Sequence, residues 1–309
     1  MNSSTLSGRQ ARSIVVVGSL NMDLVMRTAR VPVGGETLHG HEFRMAPGGK
    51  GANQAVACAR LGSKVTFIGQ TGEDDFGKTL CEGLIRDGID ATGVKRTPEA
   101  GTGVAVILVE DTGQNRILLA SGANGTWAVA DIEKAGAAIE SAAMLIIQLE
   151  IPMPVVQRAV EIAHHAGVPV LLNPAPACLL PEGLLSQVSI LVPNESEASL
   201  LAGIPVKDAA SAIEAARIFR QQGVGCVVVT LGDQGVAVVD AAGERHIAAH
   251  KVRAVDTTAA GDTFIGGLTA GLMEGMSMDA AVELGQRAGA LCVTRPGAQP
   301  SIPYRRELV

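Results

Sequence analysis

The chain has 309 residues, of which 47% are hydrophobic and 18% charged, as in a globular protein with enough apolar material for a large core. Its net charge of −6 and its few aromatic residues exclude a basic or base-stacking surface, so nucleic acid is not an expected partner. No apolar run is long enough to cross a membrane, so no membrane partner is expected. Five cysteines without a CxxC pair predict a reducing, cytoplasmic environment. The polar segment 1–13 predicts a flexible leader.

Short β-branched segments alternate with helical patterns over most of the chain. The predicted strands are 14–17, 65–68, 144–149, 168–172, 190–192, 226–230 and 236–239. The predicted helices are 52–61, 76–86, 155–165, 209–220, 263–274 and 278–293. This alternation predicts an α/β fold with a doubly wound, mostly parallel sheet flanked by helices.

Two segments, 24–45 and 101–121, interrupt the alternation. The second contains two strand patterns, 103–110 and 116–120, on either side of a turn. Because a doubly wound sheet has no interior place for strands without helices, we predict that both segments form a small β-sheet lid. The lid would cover the carboxyl edge of the main sheet, where ligands bind in such folds. The chain is therefore expected to be one α/β domain, 14–309, with the lid inserted.

The segment 256–262 reads DTTAAGD and precedes the predicted helix 263–274. Small residues let the backbone approach a ligand closely, and the first amides of the helix would point at this turn, which suits a phosphate or another anion. Asp262 is then placed to remove a proton from the group that attacks the anion, as in a phosphoryl transferase. On this segment alone, a simple helix cap at Asp262 is an equally good interpretation.

The glycine-rich segment 46–54 contains Gly49, Lys50 and Asn53 and precedes another predicted helix. Its glycines permit close backbone approach, while Lys50 and Asn53 offer side-chain hydrogen bonds. The spacing matches neither the dinucleotide GxGxxG pattern nor the Walker loop. The segment is therefore either a ligand site or a structural joint.

Three further polar residues follow predicted strands. Asn21 and Asp23 come after the first strand and would project from the same face, which suits them to grip vicinal hydroxyls. Glu150 follows an apolar strand, where it either lies over the crevice or caps the helix after Pro152. These positions predict a site for a polyhydroxylated ligand at the sheet edge.

Two later segments suit a nucleotide and its metal ion. Asn194 and Glu197 lie three apart at the start of a helix and provide the oxygen ligands that Mg²⁺ uses beside phosphates, usually through water. The glycine turn after strand 226–230 suits phosphates and consists of Thr230, Leu231, Gly232, Asp233, Gln234 and Gly235. Four strands thus deliver polar or glycine-rich groups to one edge, which favours an enzyme.

With these motifs the sequence resembles the PfkB family of carbohydrate kinases over residues 13–303. The motifs that carry the resemblance, in the family's order, are GSLNMD (18–23), PVGGET (32–37), GGKGANQ (48–54), NPAP (173–176), NESE (194–197), DTTAAGD (256–262) and VTRPGAQPS (293–301). The last motif is most similar to the family's ribose-phosphorylating members. The resemblance implies transfer of the ATP γ-phosphoryl group to O5 of D-ribose. Asp262 would be the base, and the backbone amides of Ala259, Ala260 and Gly261 would form an anion hole.

The same resemblance assigns the remaining site residues. The sugar would be held by Asn21, Asp23, Gly49, Lys50, Gly51, Ala52, Asn53 and Glu150, beside Asp262. ATP would be held by Asn194, Thr230 to Gly235, Gly261, Asp262 and Gln286, although many relatives have Asn or His at the position of Gln286. Glu197 would organise Mg²⁺. A K⁺ ion would be held by Asp256, Thr258, Cys292, Arg295, Gly297 and Ser301, since carbonyl-rich cages suit this weakly hydrated ion.

Other functions remain open on the sequence. The nearest are sister kinases for deoxyribose, fructose or adenosine, although Asn21 and Asp23 favour ribose and the scarcity of aromatic residues disfavours a nucleoside. A NAD-dependent dehydrogenase would require GxGxxG after the first strand, which is absent. A catalytically silent sugar-binding regulator is disfavoured because Asp262 is retained. The open edges and apolar residues of the lid predict a homodimer through the lid, against a monomer whose lid packs only on its own domain.

Overall fold

Two separate sheets contain the thirteen strands of the computed structural model, which describes residues 13–308. In chain order the strands are β1 (Ile14–Val17), β2 (Asn21–Thr28), β3 (Glu42–Gly48), β4 (Val65–Gly72), β5 (Asp90–Thr97), β6 (Gly103–Glu110), β7 (Asn115–Ala120), β8 (Met144–Ile147), β9 (Val170–Leu172), β10 (Ile190–Leu191), β11 (Cys226–Thr230), β12 (Val236–Asp240) and β13 (Gly243–Ile247). The larger sheet has the order β13-β12-β11-β10-β9-β8-β1-β4-β5. The predicted leader lies outside the described residues, apart from Ser13.

The larger sheet is parallel from β11 to β5, and β12 and β13 are added antiparallel at one edge. Strand β1 is an interior strand between β8 and β4, and its sequence IVVV is apolar throughout because both of its faces are buried. Val15 and Val17 pack in a core on one side, whereas Ile14 and Val16 pack in a core on the other. The predicted doubly wound α/β fold is therefore confirmed.

Nine α-helices occur among residues 13–308, and none is long and apolar enough to span a bilayer. They are α1 (Lys50–Arg60), α2 (Asp75–Arg86), α3 (Val129–Lys134), α4 (Gly136–Glu140), α5 (Met153–His165), α6 (Glu195–Ala202), α7 (Ala209–Gln221), α8 (Ala260–Met273) and α9 (Met278–Cys292). Helices α1 and α8 approach closely: a β-carbon on Gly266 would lie 2.3 Å from the Ala57 side chain. The amino-terminal parts of the two helices also meet, since Asn53 Nδ2 of α1 lies 3.0 Å from Asp262 Oδ2 of α8.

The smaller sheet has the order β3-β2-β6-β7 and is formed by the two segments predicted as a lid, although β2 and β3 extend three residues beyond the predicted bounds 24–45 at either end. It is mixed, because β2 pairs parallel with β6 while the two outer pairs are antiparallel. Only three residues separate the end of β1 from Asn21, where β2 begins, so the lid is joined directly to the carboxyl edge of the main sheet.

Several elements differ from the sequence prediction. Strands β5 and β13 were not predicted, because their sequences DATGVKRT and GERHI lack an apolar pattern. The short helices α3 and α4 were also missed, since fewer than two turns give no periodicity. The strand predicted over 144–149 ends at Ile147, so Glu150 lies in the loop that follows.

Candidate active site

Helix α8 places Asp262 in its first turn, where the side chain is only 7% exposed. Its carboxylate accepts hydrogen bonds from two consecutive side chains of α1. Asn53 Nδ2 donates to Oδ2 at 3.0 Å, and Gln54 Nε2 donates to Oδ1 at 2.9 Å. The N-cap of α8 is Ala259, without a side-chain cap bond. The helix-cap interpretation of Asp262 is therefore wrong, and its role as a base stays a prediction.

The three residues predicted to form an anion hole lie where the preceding turn leads into α8. Ala259 has φ 59° and ψ 12°, and it is the single non-glycine residue with positive φ among residues 13–308. The Ala260 amide donates to Thr257 O at 3.2 Å, so it is not free to bind an anion as predicted. The amides of Ala259 and Gly261 donate to no described residue. Two of the three predicted donors therefore remain available, since the Ala260 amide closes the preceding turn.

Glu150 lies at the centre of the predicted sugar site. Its Oε2 accepts hydrogen bonds from Ser19 Oγ at 2.5 Å, from the Lys50 backbone amide at 3.1 Å and from Asn21 Nδ2 at 3.4 Å. The N-cap of the following helix is Pro152, without a side-chain cap bond. Glu150 therefore joins the ends of β1 and α1 over the crevice, and the alternative interpretation as a helix cap is wrong.

Asp23 is a buried carboxylate, 7% exposed, that accepts no hydrogen bond from residues 13–308. Burial raises the pKa of Asp23 to about 7, and the charges of Glu150 and Asp262 add to this effect, while Arg44 opposes it. Gly48 lies against this carboxylate, since a β-carbon there would be 2.4 Å from both of its oxygens. A buried acceptor without a donor is suited to hydroxyl groups of a ligand.

The glycine-rich segment before α1 acts as a joint that supports the site. Gly49 has φ 91°, and a β-carbon there would lie 2.8 Å from Ser19 O. The amides of Gly51 and Ala52 donate to Ser19 Oγ at 3.4 Å and to Ser19 O at 3.0 Å. These two predicted sugar-binding residues thus hold α1 against the end of β1, so their amides are not free for a sugar.

Lys50 is the cation of this cluster. Burial opposes its charge, but the carboxylates of Asp262, Glu150 and Glu197 outweigh burial, so the pKa of Lys50 is raised above its ordinary value. The side chain is therefore an ammonium ion. It lines a cavity of about 180 Å³ together with Asn194, Glu197, Gly261 and Asp262.

A larger cavity of about 770 Å³ adjoins this one. The two cavities share Asn194, Thr230, Thr257, Ala260 and Gly261. The predicted nucleotide residues that line the larger cavity are Asn194, Thr230, Gly232, Asp233, Gly235, Gly261 and Gln286. Its size and its position at the amino end of α8 suit a nucleotide with its phosphates near Gly261.

Three predicted nucleotide residues do not line this cavity: Leu231, Gln234 and Asp262, the last of which lines the smaller cavity beside it. Leu231 is 1% exposed and packs in the core, because the turn at Gly232 directs its side chain inward. Gln234 is exposed, and its Nε2 donates to Lys207 O at 3.2 Å. Gln286 does line the cavity, and its Nε2 donates to Ile247 O at 3.1 Å.

Asn194 and Glu197 form a reciprocal cap at the start of α6. The Glu197 amide donates to Asn194 Oδ1 at 2.9 Å, and Glu197 Oε2 accepts from the Asn194 amide at 2.9 Å. Glu197 Oε1 accepts from Asn194 Nδ2 at 2.9 Å. Burial raises the pKa of Glu197 above its ordinary value. Among the described residues, no group of three or more His, Cys, Asp or Glu side chains is arranged to hold a metal ion.

The predicted K⁺ residues lie on two neighbouring turns. Asp256 Oδ1 accepts from the Thr258 amide at 2.9 Å and from Thr258 Oγ1 at 2.6 Å, while Oδ2 accepts from the Gly297 amide at 2.8 Å. Burial alone would raise the pKa of Asp256, but these bonds and the charge of Arg44 hold it below its ordinary value. Asp256 therefore links the turn before α8 to the turn after α9.

The remaining members of this set lie at the end of α9. Cys292 Sγ donates to Thr258 O at 3.7 Å and lies 3.0 Å from Ser301 Oγ. The Arg295 amide donates to Cys292 O at 3.1 Å. Burial raises the pKa of the Cys292 thiol. The six residues therefore lie together on two neighbouring turns with backbone carbonyls. Two of these carbonyl oxygens, Thr258 O and Cys292 O, already accept hydrogen bonds from other members of the set.

Arg44 contacts this region from the lid. Its guanidinium lies 3.8 Å from Asp256 Oδ2, and a β-carbon on Gly297 would be 3.3 Å from its Nη1. On strand β3 it pairs with Val25, two positions from the pair of Asp23 with Ala46, so Arg44 and Asp23 share one face of the lid. Arg44 is therefore the cation that links the lid to the Asp256 turn.

Sequence reasoning missed three residues that build the site. Asn124 Nδ2 donates to Asn21 Oδ1 at 2.8 Å, across 103 positions of the chain. Ser19 contacts Glu150, and Gln54 contacts Asp262. Ser19 and Gln54 stand inside the motifs at 18–23 and 48–54, so position was a usable signal for both. No local pattern indicated Asn124.

These features together define a phosphotransferase that acts on a hydroxyl group. A buried carboxylate at a helix amino terminus lies between a nucleotide-sized cavity and a cluster of carboxylate and amide side chains suited to a polyol. A carboxylate base, backbone amides for the transferred group and an ammonium ion beside them are the parts that phosphoryl transfer requires.

Comparison with known proteins identifies the family within this class. Residues 11–305 match the model of the pfkB family carbohydrate kinases, so the chain belongs to this family. It is 45% identical to the ribokinase of Haemophilus influenzae over 296 residues, covering 96% of this chain and 97% of the relative. It is 37% identical to the deoxyribokinase of Salmonella typhimurium over 291 residues, covering 94% and 95%. The structure of Arabidopsis thaliana ribokinase complexed with ribose and ATP superposes with a TM-score of 0.91 and 33% identity, covering 96% and 97%.

Proposed function

We propose that the chain transfers the γ-phosphoryl group of ATP to O5 of D-ribose, giving D-ribose 5-phosphate and ADP. The position of the Asp262 carboxylate carries this proposal, because it lies between the polyol cluster and the nucleotide cavity. Asp262 takes the proton from the O5 hydroxyl as O5 attacks the γ-phosphorus. The bond from that phosphorus to the bridging oxygen breaks, and ADP leaves. The amides of Ala259 and Gly261 stabilise the charge on the transferred group.

The sugar is held on the lid side of the crevice. Asp23 accepts hydrogen bonds from its hydroxyls, and Asn53 presents a buried Oδ1 that has no partner among the described residues. Glu150 is already committed to Ser19 and the Lys50 amide, so it fixes the frame of the sugar site. ATP lies in the 770 Å³ cavity along the turn 230–235.

An ADP-release assay with a panel of pentoses, hexoses and nucleosides tests the function. D-Ribose is expected to give the highest kcat/KM, with no turnover of nucleosides. The alternative is a kinase for deoxyribose, favoured by the 37% identity to a deoxyribokinase. A kcat/KM for 2-deoxyribose equal to or above that for ribose would establish this alternative.

Mg²⁺ is the expected metal ion, and the residues present fit it through water. Both oxygens of Glu197 are engaged with Asn194, so the pair presents a fixed polar surface that suits a hydrated ion beside phosphates. When bound, Mg²⁺ would neutralise phosphate charge. The cap orients Glu197 toward the cavity that contains Lys50 and Gly261.

We propose that K⁺ binds between the turns 256–258 and 292–301. The Asp256 carboxylate and the backbone oxygens of these turns fit a large, weakly hydrated cation. When bound there, the ion would hold the turn that carries the Ala259 and Gly261 amides. Asp256 already ties this turn to Gly297, so the ion and the hydrogen bonds act on the same segment of backbone.

We also propose a homodimer through the lid. In β6 and β7, Ala105 pairs with Leu119 and Ile107 with Ile117, so Leu119 and Ile117 share the face of Asp23, which pairs with Ala105. Ile117 and Leu119 are 56% and 45% exposed. A second lid on this face would bury both residues and cover the Asp23 end of the sugar site. In a two-fold symmetric dimer, the same lid face of each chain would bury these apolar residues and cover the sugar site.

We propose a cytoplasmic location. All five cysteines are free in the described chain, and Cys58, Cys226 and Cys292 are buried. Free thiols without a disulfide partner suit a reducing compartment. Immunofluorescence or fractionation of the native host would test this directly.

A further inference from the structure

Both carboxylate oxygens of Asp262 are fixed by amide side chains of α1. Asn53 Nδ2 donates to Oδ2, and Gln54 Nε2 donates to Oδ1, at 3.0 and 2.9 Å. A carboxylate held at each oxygen cannot rotate about its bond to Cβ. Asn53 is assigned to the sugar above, and Gln54 is not, because it has no exposed surface.

Gln54 is itself fixed at every polar atom. Its Nε2 also donates to Asn173 Oδ1 at 3.0 Å, and its Oε1 accepts from Gln148 Nε2 at 2.5 Å. Asn173 Nδ2 in turn donates to Val192 O at 2.9 Å. Gln148 and Asn173 directly follow strands β8 and β9. The carboxyl edge of the main sheet is thus connected to Asp262 by a buried chain of amides.

We infer that Gln54 is a positioning residue that sets the plane of the Asp262 carboxylate relative to the sugar hydroxyl. This inference rests on the proposed role of Asp262 as the base. Gln54 lies too deep to touch either substrate, and Asp262 is the one proposed catalytic group among its hydrogen-bond partners Asp262, Asn173 and Gln148. Each Asp262 oxygen then keeps one lone-pair direction free of the amides, and the rigid chain aims it into the crevice.

The replacement Gln54→Met keeps the length and volume of the side chain but removes the donor to Asp262. We expect the rate of the chemical step, measured by rapid quench in single turnover, to fall about 10²-fold, as misplacement of a reacting group by about 1 Å does. The KM values for ribose and ATP are expected to stay within about threefold of the native values, because Gln54 contacts neither ligand.

A matched control separates positioning from loss of stability. Gln70 is also a buried glutamine with a side-chain bond, to Thr126 Oγ1 at 2.6 Å, but no hydrogen bond connects it to Asp262. Gln70→Met is expected to lower the melting temperature by a similar amount and to retain the native rate of the chemical step. Equal rate losses in both variants would overturn the inference.

A double-mutant cycle provides the second test. In an Asp262→Asn background, Gln54→Met is expected to cause less than about a threefold further loss, because the group that Gln54 positions is no longer a base. A further loss near 10²-fold would mean that Gln54 acts independently of Asp262, and the inference fails. If Asp262→Asn alone turns over near the native rate, the proposed base is wrong. If Asp262→Asn loses activity as expected but Gln54→Met keeps the native rate, only the positioning role of Gln54 is overturned.

Discussion

Lowering the pH from 8 to 6 is expected to weaken ribose binding about tenfold, because Asp23 takes up a proton in this interval. Burial and the charges of Glu150 and Asp262 raise the pKa of Asp23 to about 7. If only the ionised carboxylate accepts the sugar hydroxyls, the apparent Kd scales with the inverse of the ionised fraction. That fraction is about 0.9 at pH 8 and about 0.1 at pH 6 for a pKa near 7.

The raised pKa of Asp23 has the opposite consequence for folding stability, which is expected to fall as the pH rises. The folded protein binds a proton at Asp23 more tightly than the unfolded chain, whose Asp pKa is near 3.8. Ionisation of Asp23 therefore destabilises the folded protein. This destabilisation grows as the pH rises from about 4 to 7 and reaches its full size above pH 7. The shift from 3.8 to about 7 corresponds to about 4 kcal/mol as an upper limit. Asp23→Asn is thus expected to raise the melting temperature at pH 8, and this gain should shrink toward pH 6.

Isothermal titration of ribose at five pH values between 6 and 8 measures the first effect, in native protein and in Asp23→Asn. The native Kd should change about tenfold, while the weaker Kd of the variant should not change with pH. Differential scanning calorimetry of both proteins without sugar measures the second. A native Kd that is flat over this range, or a variant less stable than the native protein at pH 8, would refute the reasoning.

Three further predictions concern the base, the monovalent cation and the lid. Asp262→Asn should lower kcat by about 10² to 10⁴ with the fold and ATP binding retained, and near-native turnover would remove Asp262 from the mechanism. Turnover in Tris buffer with Mg²⁺ should rise on adding K⁺ and respond weakly to Na⁺. Arg44→Gln should enlarge this rise, because Arg44 already offers a positive charge to Asp256. Equal rates with and without K⁺ would refute the cation proposal. In light scattering, Ile117→Glu should give monomers and the adjacent Leu118→Glu, on the opposite lid face, should keep dimers; a monomeric native protein contradicts both.

The central strands were predictable from sequence because burial on both faces demands continuous apolar runs. IVVV at β1 and CVVVT at β11 are therefore recognised at their observed bounds. The edge strands were not, since β5 and β13 have a face in solvent and carry polar residues there. Helix bounds were wrong by up to three residues at α8, because the small residues before Thr263 carry no periodic signal.

Within the site, spacing along one strand or helix was informative, and contacts between distant segments were not. Asn21 and Asp23 share a face because they are two apart on a strand, as predicted. The bond from Asn124 to Asn21 and the approach of Arg44 to Asp256 span 103 and 212 positions, respectively, and depend on how the lid is placed. The hydrogen bond from the Ala260 amide to Thr257 O also had no sequence signal, since it accompanies the αL conformation of Ala259.

The unpaired state of Asp23 bears on the choice between ribose and 2-deoxyribose. Asp23 is buried and accepts no hydrogen bond from the described residues, so a sugar that donates two hydroxyls to it relieves a cost that the fold already carries. A hydrogen bond to a charged group contributes about 1.5–3 kcal/mol, which corresponds to about 10- to 150-fold in binding. A sugar that lacks one of these hydroxyls loses this contribution and leaves a buried charge partly unsatisfied. The geometry of Asp23 therefore favours selection by the presence of hydroxyls over selection by size.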